Sequence, residues 1–392
     1  MSEHLLHTML DGRATVVATR LPPRDLIANW QGLRPAMLKS LPSGFSRDEW
    51  AYLLTFLDGR ALEQVLAHTV GGPVEAAAGP PRRMLRTRGQ VALWLPNNVS
   101  MLGPLTLVLV SLTASRLRVK TGSHSENLTA QWVDFALAHL PPCPLRTYLH
   151  EFVTVDTFGR DDSRNREWAG HADVRLVFGG DAAAQAIDSL PHPPTSQGFA
   201  FVDRQSQVWL EPAACHDDGL RHLIKVFAMY GRAGCTSPRR LVLLDAGAHQ
   251  AEELARRLVA LWPSVVRTDV PIVVASRNLA AEQWGRAAGW QTWPCPRHAA
   301  LIAVGTPDLP DFERELALPI VPLTLAQAVA ALPANVQTIG HLVTAPEDSR
   351  FLAALAMSPV KRFVPVGAMH HFGPVWDGMA FVRQLFEEVE LR

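Results

Sequence analysis

The sequence has 392 residues and is 48% hydrophobic, so it is long enough for two domains with sizeable cores and too apolar to be disordered. Lysine plus arginine equals aspartate plus glutamate, at 37 each, and this neutral balance gives no electrostatic case for binding nucleic acid. Four widely and irregularly spaced cysteines indicate neither a disulfide framework nor a zinc site, so no metal is expected.

No targeting or membrane segment is predicted. The amino terminus lacks a basic stretch followed by an apolar core and a cleavage site, and we interpret it as mature protein. The most apolar run, residues 91–110, contains prolines and asparagines that a membrane-spanning helix would not carry. We therefore expect a strand, a loop and a helix there, in a soluble cytoplasmic protein.

The first 85 residues are predicted to form an irregular section with helices. Ser46 and Glu49 have the spacing of a capping box, which indicates the start of a helix over residues 47–57. A second helix is predicted over residues 60–69 and is ended by Gly71.

From about residue 90, short apolar runs alternate with helical patterns. Strands are predicted at residues 91–95, 116–120, 174–178, 240–244, 300–304, 318–323, 338–343 and 362–366. Helices are predicted at residues 102–113, 128–140, 181–189, 220–230, 249–261, 325–332 and 346–357. This alternation is typical of an α/β protein with mostly parallel sheets.

One cysteine has surroundings that suit a nucleophile. Cys235 lies between a predicted helix and a predicted strand, and its small neighbours would let a substrate approach closely. The side chains of Arg232, Arg239 and Arg240 would favour a thiolate. On these residues alone, an inert, half-buried loop thiol is the stronger interpretation.

Three further loops follow predicted strands. The Pro-Asn-Asn loop that contains Asn98 offers an amide for an oxyanion, and Lys120 with Ser123 suits ribose or phosphate. Gly179 and Gly180 precede a helix whose amino end suits a pyrophosphate. Taken singly, each loop is better interpreted as a simple turn, and there is no GxGxxG fingerprint.

The order of these four loops resembles that of the aldehyde dehydrogenase superfamily. Its members carry a Pro-x-Asn loop, a Leu-Lys-Pro element, a Gly-Ser turn and a catalytic cysteine in a Gly-x-x-Cys loop. Within the superfamily, the Cys-Thr-Ser-Pro-Arg stretch from Cys235 and the tail over residues 365–378 resemble acyl-CoA reductases of the LuxC type. The resemblance covers residues 90–392.

The resemblance implies an α/β, aldehyde dehydrogenase-like fold of two parallel-sheet, Rossmann-like domains with a cleft between them. Residues 1–206 would hold the helical section and the nucleotide-binding domain, which residues 363–392 would complete. Residues 207–362 would form the catalytic domain with the cysteine loop. The resemblance also implies a homo-oligomer.

For the chemistry, the resemblance implies that Cys235 accepts the acyl group of a thioester. Asn98 would hold the oxyanion together with the backbone N–H of Cys235. Aldehyde oxidisers carry a general-base glutamate about 34 residues before the cysteine, where this sequence has Phe201. Asp203 is close by, and a small alignment slip would bring in Glu211. The missing carboxylate favours a thioester reductase over an aldehyde oxidiser.

For the cofactor, the resemblance implies that Lys120 holds ribose hydroxyls or phosphate and that Gly179 and Gly180 lie beside the pyrophosphate. Ser123 stands where many relatives carry a glutamate that binds the adenosine ribose. A serine there removes a negative charge and leaves room for a 2′-phosphate, which favours NADPH and leaves NADH as the alternative.

The sequence thus predicts an NADPH-dependent reductase that converts an acyl-CoA or acyl-carrier-protein thioester to the aldehyde. The alternative is a transferase that forms an acyl-cysteine, or a partner subunit of a biosynthetic complex, with no redox step of its own. His370 and His371 are expected at the surface or at an interface, although proton transfer to the leaving thiol is a second interpretation of them.

Overall fold

A computed structural model describes residues 4–10, 13–71, 83–230, 234–267, 270–305 and 316–391. The chain divides into two compact units. The first comprises Met1–Val202 and Phe372–Arg392, and the second comprises Asp203–His371. The functions predicted for the two domains stay predictions.

The first unit contains strands from both ends of the chain. Its described strands are β1 (His4–Leu10), β2 (Arg13–Thr19), β3 (Arg83–Thr87), β4 (Gln90–Trp94), β5 (Arg116–Thr121), β6 (Val153–Thr157), β7 (Val174–Gly179), β8 (Gln197–Val202) and β16 (Phe386–Glu390). Its described helices are α1 (Pro23–Gly32), α2 (Arg34–Met37), α3 (Arg47–Phe56), α4 (Gly59–Val70), α5 (Leu102–Ser111), α6 (Leu128–His139), α7 (Pro144–Glu151), α8 (Arg164–His171) and α9 (Asp181–Asp188).

The second unit alternates strands with helices. Its described strands are β9 (Gln205–Leu210), β10 (Pro238–Leu244), β11 (Gln291–Pro294), β12 (Leu301–Val304), β13 (Ala317–Leu323), β14 (Val336–Leu342) and β15 (Arg362–Pro365). Its described helices are α10 (Asp217–Tyr230), α11 (Ala248–Val265), α12 (Ile272–Ala287), α13 (Leu325–Ala330) and α14 (Ser349–Ala356).

A parallel sheet in the order β6-β5-β4-β7-β8 forms the centre of the first unit. The chain enters it at β4, moves outward to β6, and then returns to the other side of β4 as β7. The strand order therefore reverses between β4 and β7. In open α/β sheets, ligands bind outside the carboxyl ends of the strands at such a reversal. The predicted α/β class is confirmed.

The amino-terminal section was predicted incompletely, because it contributes strands as well as helices. A second sheet has the order β1-β2-β3-β16, in which β1 and β2 are antiparallel. Asp11 and Gly12 separate these two strands in the sequence, and an Asp-Gly dipeptide is a strong hairpin signal. That dipeptide lies outside the described residues.

The helix signals in this section are confirmed. The Ser46 hydroxyl accepts from the Glu49 N–H at 3.2 Å, and the Glu49 carboxylate accepts from the Ser46 N–H at 3.0 Å. Together they form the predicted capping box at the start of α3. Helix α4 ends at Gly71, whose φ of 84° lies in the left-handed region that glycine adopts without strain.

The apolar run over residues 91–110 forms β4, a loop and α5, as predicted. Every residue of α5 is buried, so this helix is apolar all round for packing reasons. No helix within the described ranges is long and apolar enough to cross a membrane.

The sheet of the second unit has the order β11-β12-β13-β10-β9-β14-β15 and is parallel except for β11. Side chains alternate between its two faces. Val208 and Leu210 of β9 belong to the core that includes residues of α10 and α11. Trp209, between them, belongs to the core that includes residues of α13 and α14. The sheet is therefore covered by helices on both faces, as parallel sheets require.

Candidate active site

A cavity of about 330 Å³ opens at the carboxyl ends of β4, β5 and β7, beside the reversal of strand order. Its position agrees with the general rule for ligand sites in open α/β sheets. The cavity is lined by Trp94, Leu95, Pro96, Asn97, Lys120, Ser123, Arg160, Asn165, Val177, Phe178, Gly179, Gly180, Ala183, Ala186, Ile187 and Leu190.

The four residues predicted to bind the cofactor all line this cavity. Lys120 is the second-to-last residue of β5, and Ser123 follows that strand. Gly179 ends β7, and Gly180 joins it to α9. Helix α9 therefore begins at the cavity, and the backbone N–H groups of its first turn favour the binding of an anion there.

The Pro-Asn-Asn loop contributes its first asparagine to the lining. The Asn97 side-chain oxygen accepts from the His124 N–H at 3.1 Å and so links the loops after β4 and β5. The two loops approach so closely that a Cβ on Gly122 would lie 2.4 Å from that oxygen. Asn98 is exposed and is not among the lining residues.

Two cations face the cavity. Burial lowers the pKa of Lys120, and the nearby Arg160 guanidinium lowers it further. None of the described residues that line the cavity is acidic. A site with two cations and no carboxylate suits a ligand that carries negative charge.

Arg160 was not among the predicted site residues, and it is placed by a side chain from α8. The Asn165 amide nitrogen donates to the carbonyl oxygens of Gly159, Arg160 and Asp162 at 3.1, 2.8 and 3.2 Å. Its oxygen accepts from the Trp94 indole N–H at 3.0 Å. The preceding strand, β6, was also missed, because this edge strand is only partly buried and has no apolar run.

The cysteine loop of the second unit joins α10 to β10 and lies at the amino ends of the parallel strands of its sheet. The Ser206 hydroxyl, near the start of β9, donates to the carbonyl oxygen of Cys235 at 2.7 Å. The Ser237 N–H donates to the carbonyl oxygen of Gly234 at 3.0 Å, which closes a turn around the cysteine. Cys235 is half-buried in this turn.

The buried cysteines of the same unit differ from Cys235. Burial raises the pKa of Cys215 to about 11 and that of Cys295 to about 12. A thiol in such surroundings stays protonated at neutral pH and is a poor nucleophile.

The arginines near Cys235 in the sequence do not all support its thiolate. The Arg240 guanidinium donates to the Gln207 side-chain oxygen at 2.6 Å and to the carbonyl oxygen of Ala331. Gln207 and Ser206 point to opposite faces of the sheet, because side chains alternate along a strand. Arg240 is thus directed away from the face on which Ser206 meets the cysteine loop. Arg232 lies outside the described residues.

Glu211 is held by structural contacts. Its carboxylate accepts from the N–H and the hydroxyl of Thr344 at 2.7 and 2.6 Å, and it pairs with Arg350. Glu211 follows the carboxyl end of β9, whereas Cys235 contacts the start of that strand. The two residues lie at opposite ends of the same strand, so Glu211 is not placed to activate water at Cys235.

His370 and His371 were expected at the surface or at an interface; His371 is exposed, but His370 is only partly exposed. Its ring is inserted between α10 and the cysteine loop, where Nε2 lies 2.8 Å from the carbonyl oxygen of Val226 and Nδ1 lies 2.7 Å from the Thr236 hydroxyl. Burial lowers the pKa of His370 to about 4. The partner residues precede His370 by more than 130 positions, so no local pattern signalled this contact.

The comparisons with known proteins point in one direction. Residues 27–278, well over half of the chain, match the family model described as acyl-CoA reductase (LuxC). A search of curated proteins found no match.

Solved structures with similar folds belong to aldehyde dehydrogenases and related oxidoreductases. The NAD-dependent aldehyde dehydrogenase from Sinorhizobium meliloti is 14% identical with a TM-score of 0.66, over 94% of this chain and 82% of that one. An oxidoreductase from Marinobacter aquaeolei is 10% identical with a TM-score of 0.66, over 94% and 84%.

A mutant of proline utilization A (PutA) from Bradyrhizobium japonicum is 15% identical with a TM-score of 0.67. The match covers 95% of this chain but only 43% of the PutA chain, so the chain spans less than half of that protein. At these identities the likeness shows the fold alone, and that fold is the aldehyde dehydrogenase fold.

Proposed function

The chain belongs to the LuxC family of acyl-CoA reductases, and from that premise we propose that it reduces an acyl thioester to the aldehyde through an acyl-cysteine at Cys235. The observation that carries this proposal is that Cys235 is partly exposed in a loop of fixed backbone. Cys235 is half-buried in a turn whose backbone is held by Ser206, while Cys215 and Cys295 are buried in the core. Among these three thiols, Cys235 is the least buried, which supports its role as the nucleophile.

In the proposed reaction, the Cys235 thiolate attacks the carbonyl carbon of the thioester. The developing oxyanion accepts hydrogen bonds from the Asn98 amide and from the backbone N–H of Cys235. The bond to the carrier sulfur then breaks, the carrier leaves as its thiolate, and the acyl group remains on Cys235. The nicotinamide cofactor, when bound, supplies the hydride that releases the aldehyde and restores the thiolate.

The cavity of the first unit fits the anionic part of such a cofactor. Lys120 and Arg160 supply positive charge, and Ser123 supplies a hydroxyl where a carboxylate would repel a phosphate. The walls formed by Val177, Ile187 and Leu190 offer apolar surface for a base. These residues would hold NADPH in preference to NADH, because only NADPH carries a 2′-phosphate.

Mass spectrometry of the intact protein tests the proposed function. The protein is incubated with a panel of acyl-CoA and acyl-carrier-protein thioesters, first without and then with NADPH. We expect a mass increase equal to the acyl group, located on Cys235, which disappears when NADPH is added and aldehyde forms. An acyl-enzyme that persists with both NADPH and NADH would favour the transferase alternative. If no thioester acylated the protein, the proposal would be wrong.

Cofactor preference is a separate prediction. Arg160→Ala should raise the KM for NADPH by about 10- to 100-fold, since a hydrogen bond to a charged group contributes about 1.5–3 kcal/mol. Ser123→Glu should act in the same direction, because its carboxylate would repel the 2′-phosphate. Neither change should raise the KM for NADH to the same degree. Steady-state kinetics with both cofactors measures the ratio.

The matched control for Arg160 is Arg166→Ala. Arg166 is exposed on α8 and is not among the residues that line the cavity. Its replacement removes the same charge from a neighbouring position and should leave the KM for NADPH unchanged. Equal effects of the two arginine variants would show that only the overall charge matters.

A further inference from the structure

His370 connects three parts of the second unit. It follows a short helical turn at Val366–Ala368, directly after β15. Its Nε2 contacts the carbonyl oxygen of Val226 on α10, and its Nδ1 contacts the hydroxyl of Thr236 beside the candidate nucleophile. The Tyr230 ring packs edge-on against the imidazole, with ring centres 5.0 Å apart.

The direction of each hydrogen bond follows from the chemistry of the partners. The Val226 carbonyl can only accept, so Nε2 must carry the hydrogen. The imidazole is neutral at pH 7, since burial lowers its pKa to about 4; the hydrogen bond to Val226 opposes this shift, and the charge of Arg362 adds to it. A neutral ring with hydrogen on Nε2 has an acceptor at Nδ1. The Thr236 hydroxyl therefore donates to His370.

The segment that carries His370 is itself held in place. The Arg362 guanidinium donates to the carbonyl oxygens of Met369 and His371, at 3.0 and 2.9 Å. It also donates to the carbonyl oxygen of Ala368 at 3.3 Å. The backbone on both sides of His370 is thus held by the Arg362 guanidinium, and this fixes the position of the imidazole.

The peptide between Cys235 and Thr236 is fixed from both sides. Ser206 holds the carbonyl oxygen of Cys235, and His370 holds the side chain of Thr236. This peptide begins at the carbonyl carbon of Cys235, so its orientation constrains the Cα atom from which the Cys235 sulfur and N–H project. These are the two groups that the acylation step uses.

We propose that His370 is a positioning residue, which orients the nucleophile loop by accepting the hydrogen bond of Thr236. The proposal rests on the proposed role of Cys235. Its physical basis is that displacement of a reacting group by about 1 Å lowers a rate by about 10²-fold. The imidazole acts through Thr236 and needs no contact with the substrate.

Two conservative variants separate the two bonds of His370. In His370→Asn, the side-chain oxygen stands near the position of Nδ1 and can still accept from Thr236. In His370→Gln, the amide nitrogen stands near the position of Nε2 and can still donate to Val226. We expect His370→Gln to slow acylation of Cys235 by about 10- to 100-fold. We expect His370→Asn to acylate within a few-fold of wild type while unfolding at a lower temperature.

Variants at Thr236 test the same bond from its other side. Thr236→Val keeps the shape without the hydroxyl and should slow acylation as much as His370→Gln, whereas Thr236→Ser should restore the rate. Because both changes remove one bond, the double variant Thr236→Val/His370→Gln should be no slower than the slower single variant. Additive losses, or equal losses in His370→Asn and His370→Gln, would overturn the proposal.

The matched control is His341→Gln. His341 is a buried histidine of the same unit, stacked on Phe363 with ring centres 4.4 Å apart, and burial also lowers its pKa. The control should lower the unfolding temperature without changing the acylation rate. A merely structural role of His370 would give the same pattern as this control.

Alkylation of Cys235 by iodoacetamide, followed by peptide mass spectrometry, is the second readout and needs no thioester substrate. If wild type is not acylated but His370→Gln changes the alkylation rate, the positioning role stands and the proposed function fails. If wild type is acylated and both rates are unchanged in His370→Gln, the positioning role fails and the proposed function stands.

Discussion

Cys235→Ala should lower the rate of aldehyde formation from an acyl thioester by about 10⁴-fold or more, because no other group in the proposed reaction can carry the acyl chain. The measurement is the rate of NADPH oxidation together with the mass of the protein after exposure to thioester. We expect neither turnover nor added mass, while the circular dichroism spectrum and unfolding temperature stay close to those of wild type.

Two other cysteines serve as controls for that result. Cys143 is half-buried, like Cys235, and precedes α7 in the first unit. Cys295 is buried, and its raised pKa keeps it protonated at neutral pH. Cys143→Ala and Cys295→Ala should both retain activity. If Cys235→Ala turned over at the wild-type rate, the acyl-cysteine mechanism would have to be abandoned.

Asn98→Ala should lower kcat by about 10²- to 10³-fold, the usual effect of removing one hydrogen-bond donor to an oxyanion. The KM for the thioester should change little, because the lost bond forms mainly in the transition state. The acylation rate, measured by intact mass at short times, should fall by the same factor as kcat if acylation is the slow step.

The neighbouring Asn97 gives a contrasting variant. Its side-chain oxygen holds the His124 N–H, and it lines the same cavity as Ser123. Asn97→Ala should therefore raise the KM for NADPH and have a smaller effect on kcat. The reverse pattern, with kcat lost in Asn97→Ala and kept in Asn98→Ala, would assign the oxyanion role to Asn97.

The fold was predictable where local patterns are strong. The apolar segments that form β4, β7 and α5 are buried almost completely, so their composition alone indicated elements of the core. The edge strand β6 is partly exposed and was missed. The sheet that joins β3 to β16 was missed as well, because Thr87 pairs with Phe386, a residue far away in the sequence.

The sequence by itself determined the α/β class and four residues of the cavity, which lie at the carboxyl ends of β5 and β7 or just beyond them. The resemblance to the aldehyde dehydrogenase superfamily selected these residues. They line one cavity because the carboxyl ends of parallel strands meet on one side of a sheet, so residues at the ends of different strands become neighbours. Lys120 and Gly179 are close for that reason, although they are far apart in the chain.

Only the tertiary structure decided which side chains support these residues. Asn165 holds the loop of Arg160, Glu211 is bound by Thr344 and Arg350, and His370 meets Thr236. Periodicity in a sequence reports that a side chain is buried, but it does not identify the partner that satisfies its hydrogen bonds. That partner is fixed by packing between elements distant in the chain, and there the sequence pattern carries no signal.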